Sequence, residues 1–153
     1  MSDPFAHTAS IDVAAPAEAA FAYLADPAKL DTWSFGTWKT ELHEGGLVEG
    51  RAIFDGAVTW VRIDADAQRL SIDYHLGADR NALTPRISAR IVPGGRLGLD
   101  AGSCVVTFVA WRPRAMPDQR WRRLTASHEF EVFLVKALIE RGEGDRKANP
   151  DAR

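Results

Sequence analysis

The sequence predicts an α+β fold in which a curved, seven-stranded antiparallel sheet wraps around one long C-terminal helix. Three observations predict it. From Phe35 to Trp111 the chain reads as strands of alternating polarity separated by turns. A long amphipathic helical pattern follows, from Pro117 to Arg141. Two short helical pieces come directly after the first strand.

The elements follow in order. Phe5 to Val13 alternates, with Phe5, His7, Ala9, Ile11 and Val13 in phase, as a half-buried strand does. Ala15-Pro16-Ala17-Glu18 opens a helix, since proline fits a first helical turn and Glu18 complements the helix dipole. Phe21 and Leu24 form its apolar side. Asp26-Pro27 ends it, and Ala28 to Trp33 makes a second short helical piece. Trp38, Thr40 and Leu42 then alternate with Lys39, Glu41 and His43, and Gly45-Gly46 turns the chain. Val48 to Phe54 and Ala57 to Ile63 flank Asp55-Gly56, a two-residue hairpin signal. That turn pairs Phe54 with Ala57, and sets Glu49 opposite Arg62, Arg51 opposite Trp60 and Ile53 opposite Val58 on the outer face.

Leu70 to Leu76 turns Ile72 and Tyr74 inward, and Pro85 to Val92 does the same with Ile87, Ala89 and Ile91, leaving Arg86, Ser88 and Arg90 outside. Pro93-Gly94-Gly95 turns. Cys104 to Trp111 is apolar on both faces, which marks a central, covered strand. In the final helix Trp121, Leu124, His128, Val132, Val135 and Ile139 form one stripe. Gly142 and Gly144 are expected to end it. Ala126, Phe130, Phe133 and Ala137 lie nearly opposite that stripe, so the short helices or a second subunit should cover them.

With 153 residues the chain suits one domain, assigned to residues 1–142, with 143–153 as a polar, disordered tail. Hydrophobic residues at 46% and charged residues at 26% argue against disordered and membrane classes. A net charge of −2 offers no field for nucleic acid. No apolar run approaches the ~20 residues of a membrane span, and no signal-like segment opens the chain, so a cytoplasmic location is expected. The single cysteine, Cys104, is read as a buried, inert thiol. Four histidines without short spacing give no metal motif, and no phosphate loop or nucleophile motif occurs, so neither metal nor cofactor is expected.

Together with this element order, several local features resemble the SRPBCC superfamily of START-like or Bet v-type helix-grip proteins. They are the first strand running into Ala14-Ala15-Pro16-Ala17-Glu18, then Phe21 to Leu24, Asp26-Pro27, Trp33, Glu49-Gly50-Arg51, and Asp64 to Leu70 leading into a strand. The likeness covers roughly residues 5 to 141, with the polyketide cyclase/dehydrase-like branch as one placement within it. The resemblance implies a cavity between the concave sheet and the inner helix stripe. It also implies a range of functions: lipid and hormone carriers, polyketide aromatases and cyclases, small hydrolases and co-chaperone domains. Function must therefore come from the site.

The expected ligand-binding residues on the first strands are Trp38, Thr40, Phe54, Thr59 and Val61. Later strands add Ile72, Tyr74, Ile87 and Ala89, and the helix adds Trp121, Leu124, His128 and Val132. A plain collapsed core is the alternative. His128 and Tyr74 are the candidate catalytic or orienting groups. Each also has a bland reading, a core histidine or tyrosine satisfied by a neighbour. Arg112, Arg114, Arg120, Arg122 and Arg123 gather around the helix start, either as a solvated surface or as a site for an anionic ligand group or acidic partner. Three functions follow in order: binding, carriage or sensing of a small hydrophobic molecule; a cyclase-, dehydratase- or hydrolase-type enzyme using His128 and Tyr74; and a protein-binding co-chaperone-like module. A homodimer is a further expectation.

Overall fold

The computed structural model describes residues 3–151. Strand β1 (Ala6–Val13) leads into α1 (Ala17–Ala25), a 3₁₀ turn (Pro27–Lys29) and the one-turn α2 (Leu30–Trp33). Then come β2 (Lys39–Leu42), β3 (Val48–Arg51), β4 (Val58–Asp66), β5 (Ser71–Gly77), β6 (Thr84–Pro93) and β7 (Cys104–Trp111), and finally α3 (Asp118–Ala148). The sheet order is β1-β7-β6-β5-β4-β3-β2, antiparallel throughout. The first strand thus pairs with the last, and β2 forms the far edge. This is the expected helix-grip architecture.

The core lies where both long helical faces meet the sheet. Ala17, Ala20 and Leu24 of α1 and Val132, Val135 and Ile139 of α3 are buried with Val13, Ile72, Ile91, Val106 and Phe108. Each large aliphatic group so covered contributes about 1.5–3 kcal/mol. Trp33 stacks on Phe108 with centroids 5.3 Å apart and meets the Tyr74 ring edge-on at 6.0 Å. Cys104 is fully buried, and burial pushes its thiol up to about 11, as an inert cysteine requires. No helix among the described residues is long and apolar enough to cross a membrane.

Several expectations need correction. The hairpin register is displaced by two residues: Gly50 pairs with Thr59 and Arg51 with Val58, so Glu49 faces Trp60 rather than Arg62. The Ala52 N–H donates to the Ala57 carbonyl at 3.0 Å, leaving a four-residue loop with Gly56 at φ +71. The Ile53 N–H is drawn instead to the Phe35 carbonyl at 2.9 Å. A shift of two preserves which side chains share a face. Trp38 and Leu42 do not face inward; they are exposed, because a 3₁₀ turn (Phe35–Thr37) buries Thr37 and delays β2, itself an edge strand.

Helix α3 also runs past Gly142 and Gly144 to Ala148. Glycine inside a helix costs about 1 kcal/mol but does not forbid it, and neither residue takes the positive φ of a helix stop. An ion pair from Glu143 to Arg146 spans the added turn. Phe130 and Phe133 remain more than half exposed; the short helices do not cover them, although Phe35 stacks on Phe130 at 5.8 Å.

Gly50 is set by close packing: a Cβ there would lie 2.5 Å from Thr37 Cγ2 and 2.9 Å from its Cβ. Gly50→Ala is expected to destabilise by about 1–3 kcal/mol, the usual cost of overpacking. A urea midpoint equal to that of the parent would show that the 3₁₀ turn is not wedged on β3 as described.

Candidate functional site

Beneath the N-terminal half of α3 the sheet and helix separate around a cavity of about 490 Å³. The sheet contributes Thr59, Val61, Tyr74, Leu76 and Ile87. Leu30, Trp33 and Thr37 come from α2 and the turn after it, and Leu124, Ser127, His128 and Glu131 from α3. The hairpin loop supplies Phe54 and Asp55, and Met116, Arg120 and Arg123 stand before and at the start of α3.

Of the residues expected from sequence, the cavity brings together Phe54, Thr59, Val61, Tyr74, Ile87, Leu124 and His128. Ile72, Ala89 and Val132 are buried in the core rather than on the cavity wall. Trp121 is half-buried outside it, Trp38 is exposed, and the Thr40 hydroxyl turns to Asp31 at 3.3 Å. Arg86 was expected outside. The register shifts by one residue between Tyr74 and His75, making Arg86 the extra residue of a bulge and turning it into the cavity.

The polar chemistry is different from that expected. Tyr74 is fully committed: its hydroxyl donates to the Leu24 carbonyl at 2.7 Å, and burial holds the phenol well above its ordinary range. The second polar group is Glu131, which sequence reading missed. It is 4% exposed, and Oε1 accepts the Phe35 N–H at 2.9 Å, while Oε2 lies 3.9 Å from His128 Nε2, too far for a hydrogen bond. Its spacing, three residues after His128 and four before Val135, was the available signal: it puts an acid on the apolar stripe.

Burial raises the Glu131 carboxyl to about 7, against a partial opposing effect of the Phe35 N–H. Burial, then the neighbouring His7, lowers the His128 imidazole to about 4. The ordinary order of acid and base is therefore inverted. Near neutrality the imidazole is uncharged and the carboxyl holds its proton for much of the time. Three side chains lining the cavity also carry buried polar atoms without a protein partner: Trp33 Nε1, Thr37 Oγ1 and His128 Nδ1. Buried polar atoms are seldom left so.

Two other places gather polar side chains. An open depression of about 600 Å³ on the outer face is lined mainly by polar groups such as Arg62, Asp64, His75 and Arg80. Glu41, His43 and Glu49 lie at metal-ligand spacing among the described residues, but His43 already bonds Glu49 at 3.2 Å and Arg51 neighbours Glu49 at 3.5 Å. His43 and Glu49 are thus already partners of one another, beside the β2 edge of the sheet.

The profile of the family described as "polyketide cyclase / dehydrase and lipid transport" matches residues 5–141. No curated protein sequence matches the chain. Among solved structures, the Zhui aromatase/cyclase of a Streptomyces species is 22% identical, with a TM-score of 0.61 over 96% of this chain and 97% of that one. A START superfamily protein from Mycobacterium smegmatis gives 14% identity and a TM-score of 0.60, covering 90% and 98%. The Aha1 dimer from Colwellia psychrerythraea gives 13% and 0.62, covering 88% and 96%. At these identities the likeness concerns the fold.

The Glu131 carboxyl makes a pH prediction. Between 4.5 and about 7 the unfolded chain releases a proton that the folded chain keeps. Its contribution to stability is thus highest at low pH, falls through that window and stays low above it. Glu131→Gln keeps an acceptor for the Phe35 N–H and removes the buried charge. The variant should gain about 1–3 kcal/mol relative to the parent on moving from pH 4 to pH 8. Denaturant titrations at both pH values check this; a difference independent of pH would contradict the buried, raised carboxyl.

Proposed function

The chain belongs to the polyketide cyclase/dehydrase and lipid-transport family, and from that premise we propose that it binds a small, largely apolar molecule beneath α3, for carriage or sensing. One observation carries this reading: a cavity of about 490 Å³ gathers apolar walls and three side chains with unpartnered buried polar atoms. Packed interiors leave few voids larger than a water molecule, whereas small-molecule sites span about 300–1,000 Å³ with a few polar groups on apolar walls. Trp33 Nε1 can only donate, the Thr37 hydroxyl can donate or accept, and neutral His128 presents one nitrogen of each kind. Each atom is covered by its neighbours, and a small rotation of its side chain would offer it to a ligand carbonyl or hydroxyl.

A second reading, an enzyme of the cyclase, dehydratase or hydrolase type, is favoured by the Glu131–His128 pair. A carboxyl that keeps its proton near neutrality, beside an uncharged imidazole in an apolar cavity, is suited to general-acid work on a ligand oxygen. Glu131 would share with His128 the acid–base part expected of His128, while the Tyr74 hydroxyl is engaged by the Leu24 carbonyl. The co-chaperone-like reading draws less support, since Arg112 and Arg123 are held by Asp118 and Asp55.

The test combines native mass spectrometry of protein purified from its own host with titration of the neutral dye Nile red. A co-purified small molecule and saturable dye binding are expected, both lost in Leu76→Trp, which fills the cavity. For a carrier, His128→Ala should weaken binding by less than about ten-fold, or 1.4 kcal/mol. For an enzyme, Glu131→Gln should stop turnover with binding intact. Absence of both adduct and dye binding would overturn the proposal.

A further inference from the structure

The cavity mouth collects positive charge that its own acids do not balance. Arg86, Arg120 and Arg123 line it together with Asp55. Asp55 is the acid beside them: it accepts the Ala57 N–H at 3.0 Å and Arg123 Nη2 at 3.0 Å, and these bonds, with Arg120 nearby, hold its carboxyl below the ordinary range. Among the described residues Arg120 has no ion-pair partner, and the one bond of Arg86 runs from Nε to the Trp111 carbonyl at 3.2 Å. The chain as a whole carries −2, so this excess is local.

The placement of Arg86 is what makes the excess informative. Continued alternation along β6 would have left it in water beside Ser88 and Arg90. The bulge opposite Tyr74 and His75 turns it instead toward the cavity, where partial burial and the charge of Arg120 both lower its affinity for a proton. Bringing a guanidinium out of water beside a like charge costs free energy unless an anion offsets it. The Trp111 carbonyl meanwhile fixes the plane of the guanidinium through Nε, leaving both Nη groups as a fork of the kind that matches two oxygens of one anion.

We infer that the ligand is an amphiphile with an anionic head, a carboxylate or phosphate group, held at the mouth by Arg86 and Arg120 while its apolar part lies against Val61, Leu76, Ile87 and Trp33. The inference rests on the cavity reading above and adds the charge class of the ligand. Orientation follows from the same residues. Glu131 stands eleven residues beyond Arg120 on α3, about 16 Å along the helix axis. An anion inserted head first would meet that carboxyl rather than the arginines.

The experiment displaces Nile red with three amphiphiles of one chain length, below their micelle concentrations: dodecanoate, dodecyl phosphate and the neutral 1-dodecanol. The parent should bind one or both anions at least about ten-fold more tightly than the alcohol, and the stronger anion identifies the head group. In Arg86→Gln with Arg120→Gln the anions and the alcohol should come within about two-fold of each other, with alcohol binding unchanged as the sign of an intact cavity. Arg90→Gln, on the outer face, should keep the parent's preference. Equal binding of anion and alcohol by the parent would overturn the inference alone, as would a preference surviving the double substitution or lost equally in Arg90→Gln. Failure of Nile red and all three amphiphiles to bind the parent would overturn the cavity reading as well.

Discussion

Helix α3 buries Val132, Val135 and Ile139 in the core, yet the same stripe one to two turns earlier lines open volume with Leu124 and His128. A helix is stiff over this length, so firm packing of its C-terminal half fixes how far the N-terminal half stands from the sheet. The gap is held open by what lies between. Trp33, stacked on Phe108 and edge-on to Tyr74, blocks collapse from one side. Met116 and the hairpin loop close on the other, with Arg123 lying 4.8 Å over the Phe54 ring and paired to Asp55.

The buried carboxyl follows from that arrangement. Glu131 sits on the stripe at the point where core gives way to cavity, and its bond from the Phe35 N–H ties α3 to the turn after α2. A charge there is poorly solvated and has no cation beside it among the described residues, so burial raises the carboxyl to about 7 and it holds its proton for much of the time near neutrality. The cations are instead at the mouth, on a different part of the wall. The interior is therefore apolar with neutral hydrogen-bonding groups, and its entrance is basic. The proposal of an amphiphilic ligand rests on this division.

Much of this was legible in the sequence because faces survive errors of register. The Asp55-Gly56 signal placed a hairpin correctly but mispaired it by two, since the loop's backbone is claimed by Phe35; two being the strand period, Thr59 and Val61 kept their side. Trp38 failed for a tertiary reason: the 3₁₀ turn before it buries Thr37 instead, and alternation cannot signal that turn. A single inserted residue moved Arg86 from the outer face to the cavity, and periodicity has no means of signalling a bulge. Glu131 was visible by spacing but was hidden by the rule that acids face water. The helix end was misjudged because two glycines weaken a helix only modestly when its other turns are anchored.

The central claim is that the apolar ligand lies between the sheet and the N-terminal half of α3. Intermolecular nuclear Overhauser effects from bound 1-dodecanol to assigned methyl groups test it most directly. The account predicts contacts to Val61, Leu76, Ile87 and Leu124, which come from β4, β5, β6 and α3 and all line the cavity. Contacts concentrated instead on the exposed Phe130 and Phe133 face, with those methyls silent, would contradict it.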